Sequence, residues 1–266
     1  MYVSPALGQI LSFLLGAVVG GATKFFWEKY LPDWMTWRRE QRVDREKLMS
    51  QFRGPAIRAM NDLQQRVFGI VQGHAEDYEY VKDIGERDYY VESTTFLIAQ
   101  CWAWLEILRE TMGALDYAEL LKNLDQVSSS FAEGGPGFQI YRLEQREIGE
   151  RMLSGVKGSE KCCTSYSEFL EELRSKATPA FSRLKDRAEF MLENWLQESV
   201  RLMRVQCALV DAVSYLDPRG RWVPKDQRNK LSADAVIQEL KFEKIIDKKK
   251  ADSLREEAQE YGLISK

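Results

Sequence analysis

Residues 1–23 contain no charged side chain, and the first charge in the chain is that of Lys24. As a helix, the 20 residues 7–26 would span about 30 Å, which is the thickness of the hydrocarbon core of a bilayer. Ser4 and Pro5 suit an N-cap and a first helical position. The segment 1–27 is therefore predicted to be a transmembrane anchor, and the lipid bilayer is an expected partner.

Aromatic and basic side chains follow this segment, as is typical of a membrane interface. Residues 24–53 hold 8 basic and 5 acidic side chains, and residues 28–53 are predicted to form a basic juxtamembrane helix. The positive-inside bias places the N-terminus outside and the bulk of the chain in the cytoplasm. The predicted interface residues are Trp27, Tyr30, Trp34, Trp37, Arg38 and Arg39.

Two other interpretations of the N-terminus compete with the anchor. A cleaved signal peptide normally begins with a basic region, and no basic residue precedes Lys24. A buried helix of a soluble protein rarely lacks charge over such a length while aromatic and basic residues follow it. The anchor is the interpretation that both the length and the flanks favour.

Small residues recur every four positions within the uncharged segment, at Gly8, Ser12, Gly16 and Gly20. This spacing lets two membrane helices approach closely and pack backbone against backbone. It predicts a homo-oligomer formed through the anchor. The alternative is a membrane-active effector in which the same face lines a pore.

The remainder of the chain has helical periodicity throughout, with no sustained alternation of apolar and polar residues. We predict an all-α protein with a cytoplasmic helical bundle over residues 54–224 and a charged helical tail over 225–266. The most apolar helix, 89–115, is predicted to lie at the centre of the bundle because it is apolar on two sides. Ser165, Ser232 and Asp247 are expected N-caps. The predicted helices of the body span residues 34–52, 55–71, 89–115, 118–131, 140–156, 164–176 and 179–216.

Composition argues against several kinds of chemistry. The chain has 1 His, His74, which is expected in a surface loop, and its 4 Cys include no Cys-x-x-Cys pair. No metal or cofactor is expected, and the cytoplasm would keep the thiols reduced. Residues 54–224 hold 20 basic and 27 acidic side chains, so no nucleic-acid partner is expected.

Several polar side chains interrupt the apolar helical stretches, and they are candidates for a buried polar network. Either they line a pocket, or they form paired hydrogen bonds and ion pairs that fix the helix register, which is the favoured interpretation. An enzyme that uses Glu106, Glu147 or Glu150 ranks last among the functional alternatives. The candidate residues are Gln64, Arg66, Gln100, Glu106, Arg109, Gln145, Glu147, Glu150 and Asp211.

A series of short motifs over about residues 56–224 resembles a widespread uncharacterised family of bacterial helical proteins. The motifs are Leu63-Gln64-x-Arg66, Glu86-Arg87-Asp88-Tyr89, Glu92-Ser93-Thr94, Trp104-x-Glu106, Glu144-Gln145-Arg146-x-Ile148-Gly149-Glu150-Arg151, Ala208-Leu209-Val210-Asp211 and Leu216-Asp217-Pro218. The resemblance implies a bacterial source and a helical cytoplasmic body, and it brings no activity. Together these features predict a single-pass protein of the bacterial inner membrane that acts by self-assembly or by binding an unknown cytoplasmic protein.

Overall fold

The computed structural model describes residues 51–74, 84–112, 118–133, 137–153, 156–157, 160–161 and 163–264. The predicted anchor, the juxtamembrane helix up to residue 50 and the proposed packing and interface residues from Gly8 to Arg39 lie outside this set. Among the described residues, no helix combines the length and the apolar character needed to cross a membrane.

The described residues form α-helices in chain order, which confirms the predicted all-α class. Residues 51–69 form α1 and lead into a π-helical turn, Ile70–His74. The only strands among the described residues are the two-residue β1 (Val156–Lys157) and β2 (Glu160–Lys161), which pair antiparallel. The helices that follow α1 are α2 (Ile84–Met112), α3 (Ala118–Ala132), α4 (Arg142–Met152), α5 (Tyr166–Ser175), α6 (Pro179–Glu193), α7 (Trp195–Leu216), α8 (Ala233–Phe242) and α9 (Lys248–Glu260), with a 3₁₀ turn at Lys225–Gln227.

The predicted N-caps are confirmed. Ser165 and Glu168 form a reciprocal capping box at α5, in which the Glu168 carboxylate accepts from the backbone N–H of Ser165 at 2.9 Å. The Ser232 hydroxyl accepts from the N–H of Ala235 at α8. The Asp247 carboxylate accepts from the N–H of Lys250 at 2.7 Å and so caps α9.

Some predicted helix boundaries are wrong. The single helix expected over 179–216 is two helices, α6 and α7, because Asn194 leaves the helical conformation with a φ of −117°. Its side-chain amide donates to the carbonyl of Phe190 at 2.9 Å, a local bond that competes with helix continuation. Helix α1 also continues through Pro55, where a helix start was expected, because the adjacent Ala56 and Ile57 are fully buried and packing outweighs the lost backbone bond.

Other differences are smaller. His74 ends the π-helical turn and does not lie in a loop. The helix predicted over 140–156 covers only Arg142–Met152, because the chain turns there and the carbonyl of Met152 accepts from both the backbone N–H and the hydroxyl of Thr164. Helix α2 begins at Ile84, five residues earlier than the pattern indicated.

Helix α2 is the central helix of the bundle, as predicted, and it contacts α3, α4, α5 and α6. The Trp102 ring lies edge-on to Phe131 of α3 at 5.4 Å, and Phe131 lies edge-on to Phe138 at 5.9 Å. On another side of α2, Phe96 contacts Phe169 of α5 at 5.4 Å. Because aromatic side chains bury large apolar areas, these contacts account for much of the core.

The charged segment 225–264 packs on α7. Arg204 of α7 lies over the ring of Tyr261 at 4.8 Å, and the thiol of Cys207 donates to the carbonyl of Leu231 at 3.7 Å. Helices α8 and α9 contact each other and bury apolar side chains such as Leu240 and Leu254. Residues Phe52–Lys266 therefore form one compact unit.

Helices α2 and α4 approach closely at Gly149. A Cβ atom at Gly149 would lie 2.9 Å from the carbonyl oxygen of Trp102 and 3.0 Å from Cγ of Glu106. The carbonyl belongs to the backbone of a central helix, so it cannot move without shifting α2. Only glycine permits this separation between the two helices.

We predict that Gly149→Ala lowers the free energy of unfolding by about 1–3 kcal/mol, because the added methyl group overpacks the contact between α2 and α4. In a helix without this contact, the same change would raise stability by roughly 0.5–1 kcal/mol. Urea unfolding followed by circular dichroism measures the difference. Glu150→Ala, at the exposed neighbouring position, is the control and should change stability by less than about 0.5 kcal/mol. A Gly149→Ala protein as stable as the parent contradicts the close approach.

Candidate functional site

A cleft of about 290 Å³ opens where α2, α3 and α4 meet, and it is lined mainly by charged side chains. It contains three of the residues that the sequence singled out, Glu106, Arg109 and Gln145. The other lining residues are Asp125, Ser128, Arg142, Leu143 and Arg146.

Glu106 is the buried acid of the cleft, with 4% of its surface exposed. One carboxylate oxygen accepts from Nη1 of Arg109 at 2.6 Å, and the other lies 3.6 Å from Nε of Arg146. Arg109 also donates to the hydroxyl of Ser128 at 2.6 Å. Because a buried carboxylate is stable only when it is paired, these contacts explain how a charge is held inside α2.

Gln145 completes the inner wall of the cleft. Its side-chain amide donates to the carbonyl of Ser128 at 2.9 Å and to the carbonyl of Ile140 at 2.8 Å. These bonds join α4 to α3 and to the turn that precedes α4. The inner part of the predicted polar network is therefore a structural link between three helices.

The rim of the cleft is exposed and combines apolar with basic side chains. Leu143 has 79% of its surface exposed. Arg142 donates to the hydroxyl of Ser129 at 2.6 Å and lies 3.9 Å from Asp125. Sequence reasoning missed this rim, although Arg142 and Arg146 lie four residues apart and so share a face of α4.

The other two candidate carboxylates of α4 do not converge on Glu106. Glu147 pairs with Arg183 of α6 at 2.8 Å, and its side chain is 45% exposed. Glu150 lies 3.9 Å from Arg146, and its side chain is 63% exposed. The three carboxylates each face an arginine, so they do not form the pair of neighbouring acids that general acid–base catalysis by carboxylates would use.

Gln64 belongs to a second cluster, away from the cleft. The amide of Gln206 donates to Oε1 of Gln64 at 3.0 Å and to the carbonyl of Asn229 at 2.8 Å, and its own oxygen accepts from the N–H of Leu231 at 3.0 Å. Asp211 pairs with Lys230 at 2.7 Å at the surface. These contacts attach the segment after α7 to α1 and α7.

Arg66 and Gln100 lie in neither cluster. Arg66 donates to the hydroxyl of Thr94 at 2.8 Å and lies over the ring of Tyr90 at 4.4 Å, which joins α1 to α2. Gln100 lies half-buried on α2. The predicted polar residues therefore belong to several separate sites and do not form one network. A polar residue interrupts an apolar helical stretch at any point where the helix bonds to a neighbour or reaches solvent, so the interruptions do not mark a single place.

Asp217 organises a third polar site, although it is not among the polar candidates that the sequence singled out. Its carboxylate accepts from the backbone N–H groups of Arg221 at 2.9 Å, Trp222 at 2.9 Å and Val223 at 3.1 Å. It also accepts from Nη2 of Arg228 at 2.6 Å. The Asp-Pro-Arg-Gly sequence is typical of a turn and is the signal that indicates this site.

Opposing effects act on the pKa of Asp217. Burial of this carboxyl, which is 2% exposed, would raise its pKa, but the three N–H donors and the charge of Arg228 hold the pKa below its usual range. Asp217 is therefore charged at neutral pH, and its charge stabilises the folded loop.

Two of the described thiols lack the lowered pKa of a reactive cysteine. Burial raises the pKa of the Cys101 thiol to about 12 and also raises the pKa of Cys207, so both stay protonated near neutral pH. Cys101 and Cys207 are free cysteines. No three His, Cys, Asp or Glu side chains come together as metal ligands within the described ranges.

We predict that Glu106→Gln destabilises the protein by about 1–3 kcal/mol, because it removes the buried carboxylate from the guanidinium of Arg109 and leaves only the exposed Asp125, 3.5 Å away, as its charged partner. Glu150→Gln is the matched control, since Glu150 also faces Arg146 but from an exposed position, and it should cost less than about 0.5 kcal/mol. Thermal unfolding of the two variants gives the comparison. Equal losses would mean that Glu106 does not hold the three helices together.

Asp217→Asn is expected to lower the free energy of unfolding by about 2 kcal/mol at pH 7, because charged acceptors form stronger bonds to N–H groups than neutral ones do. The folded pKa of Asp217 lies below the unfolded value, so its contribution is present above about pH 4 and is lost as the pH falls further. The gap between parent and variant should therefore narrow between pH 5 and pH 2 in thermal unfolding. Asp226→Asn, at an exposed position of the next turn, is the control. A gap that stays constant over this range contradicts the assignment.

Comparison with known proteins identifies no relative from which a function can be transferred. No protein-family model, curated protein or solved structure matches the chain. The resemblance to the bacterial helical family stays a prediction, and the function is argued from the residues themselves.

Proposed function

We propose that this chain is a membrane-anchored helical protein that works by self-assembly and by binding a protein partner, with its helical body on the cytoplasmic side of a bacterial inner membrane. The observation that carries the proposal is the uncharged segment 1–23, followed by aromatic residues and a basic excess over residues 24–53. A segment of this length and these flanks has the properties of a single membrane-spanning helix.

The described body supports a binding role over catalysis. Glu106, Glu147 and Glu150 each face an arginine, and the cleft that contains Glu106 is bridged by hydrogen bonds between helices. At its rim, Leu143 is exposed beside Arg142 and Arg146. Arginine is enriched at protein interfaces, and an exposed leucine adds apolar area, so this rim is the surface that we propose for the protein partner.

Self-assembly follows from the small residues of the anchor. One face of a membrane helix would be formed by Gly8, Ser12, Gly16 and Gly20. Because lipid supplies no hydrophobic driving force for helix association, membrane helices associate through close backbone packing at a face of this kind. The anchor would then set both the location and the number of copies of the helical body.

The double variant Gly16→Leu and Gly20→Leu is expected to lose self-association, because two large side chains would hold the helices apart. Light scattering of the full chain in detergent measures the mass of the assembly. Gly21→Leu makes the same kind of change outside the four-residue stripe, about 100° around the helix from Gly20, and should leave the mass unchanged. An assembly of unchanged mass in the double variant contradicts packing through this face.

Two further measurements separate the proposal from its alternatives. Alkaline carbonate should leave the full chain in the membrane fraction, and its release would contradict the anchor. Liposomes that contain the purified chain should retain a trapped dye, because the anchor is proposed to hold the protein in place. Leakage that disappears in the Gly16→Leu and Gly20→Leu variant would favour the pore-forming effector.

A further inference from the structure

Residues 217–225, the loop after α7 together with the first residue of the 3₁₀ turn, present basic side chains to solvent. Arg219, Arg221 and Lys225 are exposed, while the one acid of the loop, Asp217, is buried and paired with Arg228. The acidic charge is therefore neutralised inside the loop, and the outward side carries positive charge.

An aromatic side chain lies among these basic groups. Trp222 has 46% of its surface exposed, although its backbone N–H is fixed by Asp217. Its ring packs on α1 where Gly54 leaves space, since a Cβ atom at Gly54 would lie 2.7 Å from Cη2 of the ring. The guanidinium of Arg58 lies over the same ring at 5.4 Å and is itself exposed.

The loop and the first turns of α1 thus form a continuous surface, which we call the Arg–Trp surface and define by Arg58, Arg219, Arg221, Trp222 and Lys225. The side chain of Arg53 donates to the carbonyl of Leu216 and ties α1 to the start of the loop. Two exposed acids, Asp62 and Asp226, belong to the same two segments. The surface thus has four exposed basic side chains and two exposed carboxylates near it, and its net charge is positive.

This basic character is unusual for the body of the chain. Residues 54–224 carry 7 more acidic than basic side chains. In the sequence, Arg58 of the Arg–Trp surface follows the last residue of the basic segment 24–53 by five positions.

We propose that the Arg–Trp surface binds the anionic headgroups of the membrane in which the chain is anchored. Tryptophan is favoured at the headgroup level because its ring is apolar and its N–H is polar. Basic side chains beside it are attracted to anionic lipid over a distance set by the salt concentration. This inference rests on the proposed function, and it adds a second attachment that would hold one side of the body toward the bilayer.

The test measures binding of phosphatidylglycerol and phosphatidylcholine to the full chain in detergent by native mass spectrometry. The parent should bind phosphatidylglycerol preferentially, and added salt should weaken this binding. In the variant Arg219→Glu and Arg221→Glu, affinity for phosphatidylglycerol should fall at least about tenfold, since each basic side chain near an anionic surface contributes about fivefold.

Matched variants make the result specific. Lys248→Glu and Lys249→Glu reverse two exposed charges on α9 and should leave lipid binding close to that of the parent, because α9 lies outside the Arg–Trp surface. Arg58→Glu changes a different element of the same surface and should weaken binding, so the test does not depend on one loop variant. Circular dichroism confirms that each variant folds.

Undiminished phosphatidylglycerol binding by the loop variant would overturn the inference, as would equal binding of the two lipids by the parent. Binding of an RNA oligonucleotide that the loop variant loses while lipid binding persists would overturn it too, and would assign the surface to nucleic acid. Carbonate extraction of the parent reports on the anchor separately. A parent that stays in the membrane while its loop variant binds lipid normally would contradict this inference alone and leave the proposed function standing.

Discussion

Burial of α2 on several sides is the constraint on which the rest of the described structure depends. The buried polar side chains of a helix in this position are stabilised mainly by bonds to its neighbours, because the helix is largely shielded from water. Glu106 and Thr94 are stabilised in this way, through the arginines of the cleft and through Arg66 of α1. The cleft between α2, α3 and α4 thus surrounds a carboxylate of the central helix, and the close approach at Gly149 brings α4 against the same part of α2.

The segment after α7 is attached by polar contacts as much as by apolar ones. Gln206 uses both ends of its amide to hold the backbone of Asn229 and Leu231, and Arg204 of the same helix lies on Tyr261. A segment rich in both signs of charge therefore has a fixed position on the bundle. Its charged residues lie mostly on the outward faces of α8 and α9, whose inward faces are apolar.

The sequence predicted the all-α class, the central helix and the N-caps, because each of these features depends on residues that lie close together in the chain. Ser165, Ser232 and Asp247 act on backbone groups three residues away, so the local pattern contains the whole interaction. The break at Asn194 was missed because apolar periodicity continues through it. The grouping of the polar residues could not be predicted, since Gln64 meets Gln206 across 142 positions of sequence and Glu106 meets Arg146 across the interface between α2 and α4.

In the loop held by Asp217, the groups that fix the backbone are different from the side chains that face solvent. Its carboxylate binds the backbone N–H groups of residues 221–223, and a backbone N–H is present whichever side chain the residue carries, proline excepted. The shape of the loop thus depends on Asp217 and Arg228, while the side chains at Arg219 and Arg221 are free to change without loss of that shape. A protein built in this way can exchange the side chains that the loop presents to solvent by substitution at a few positions and without a new fold.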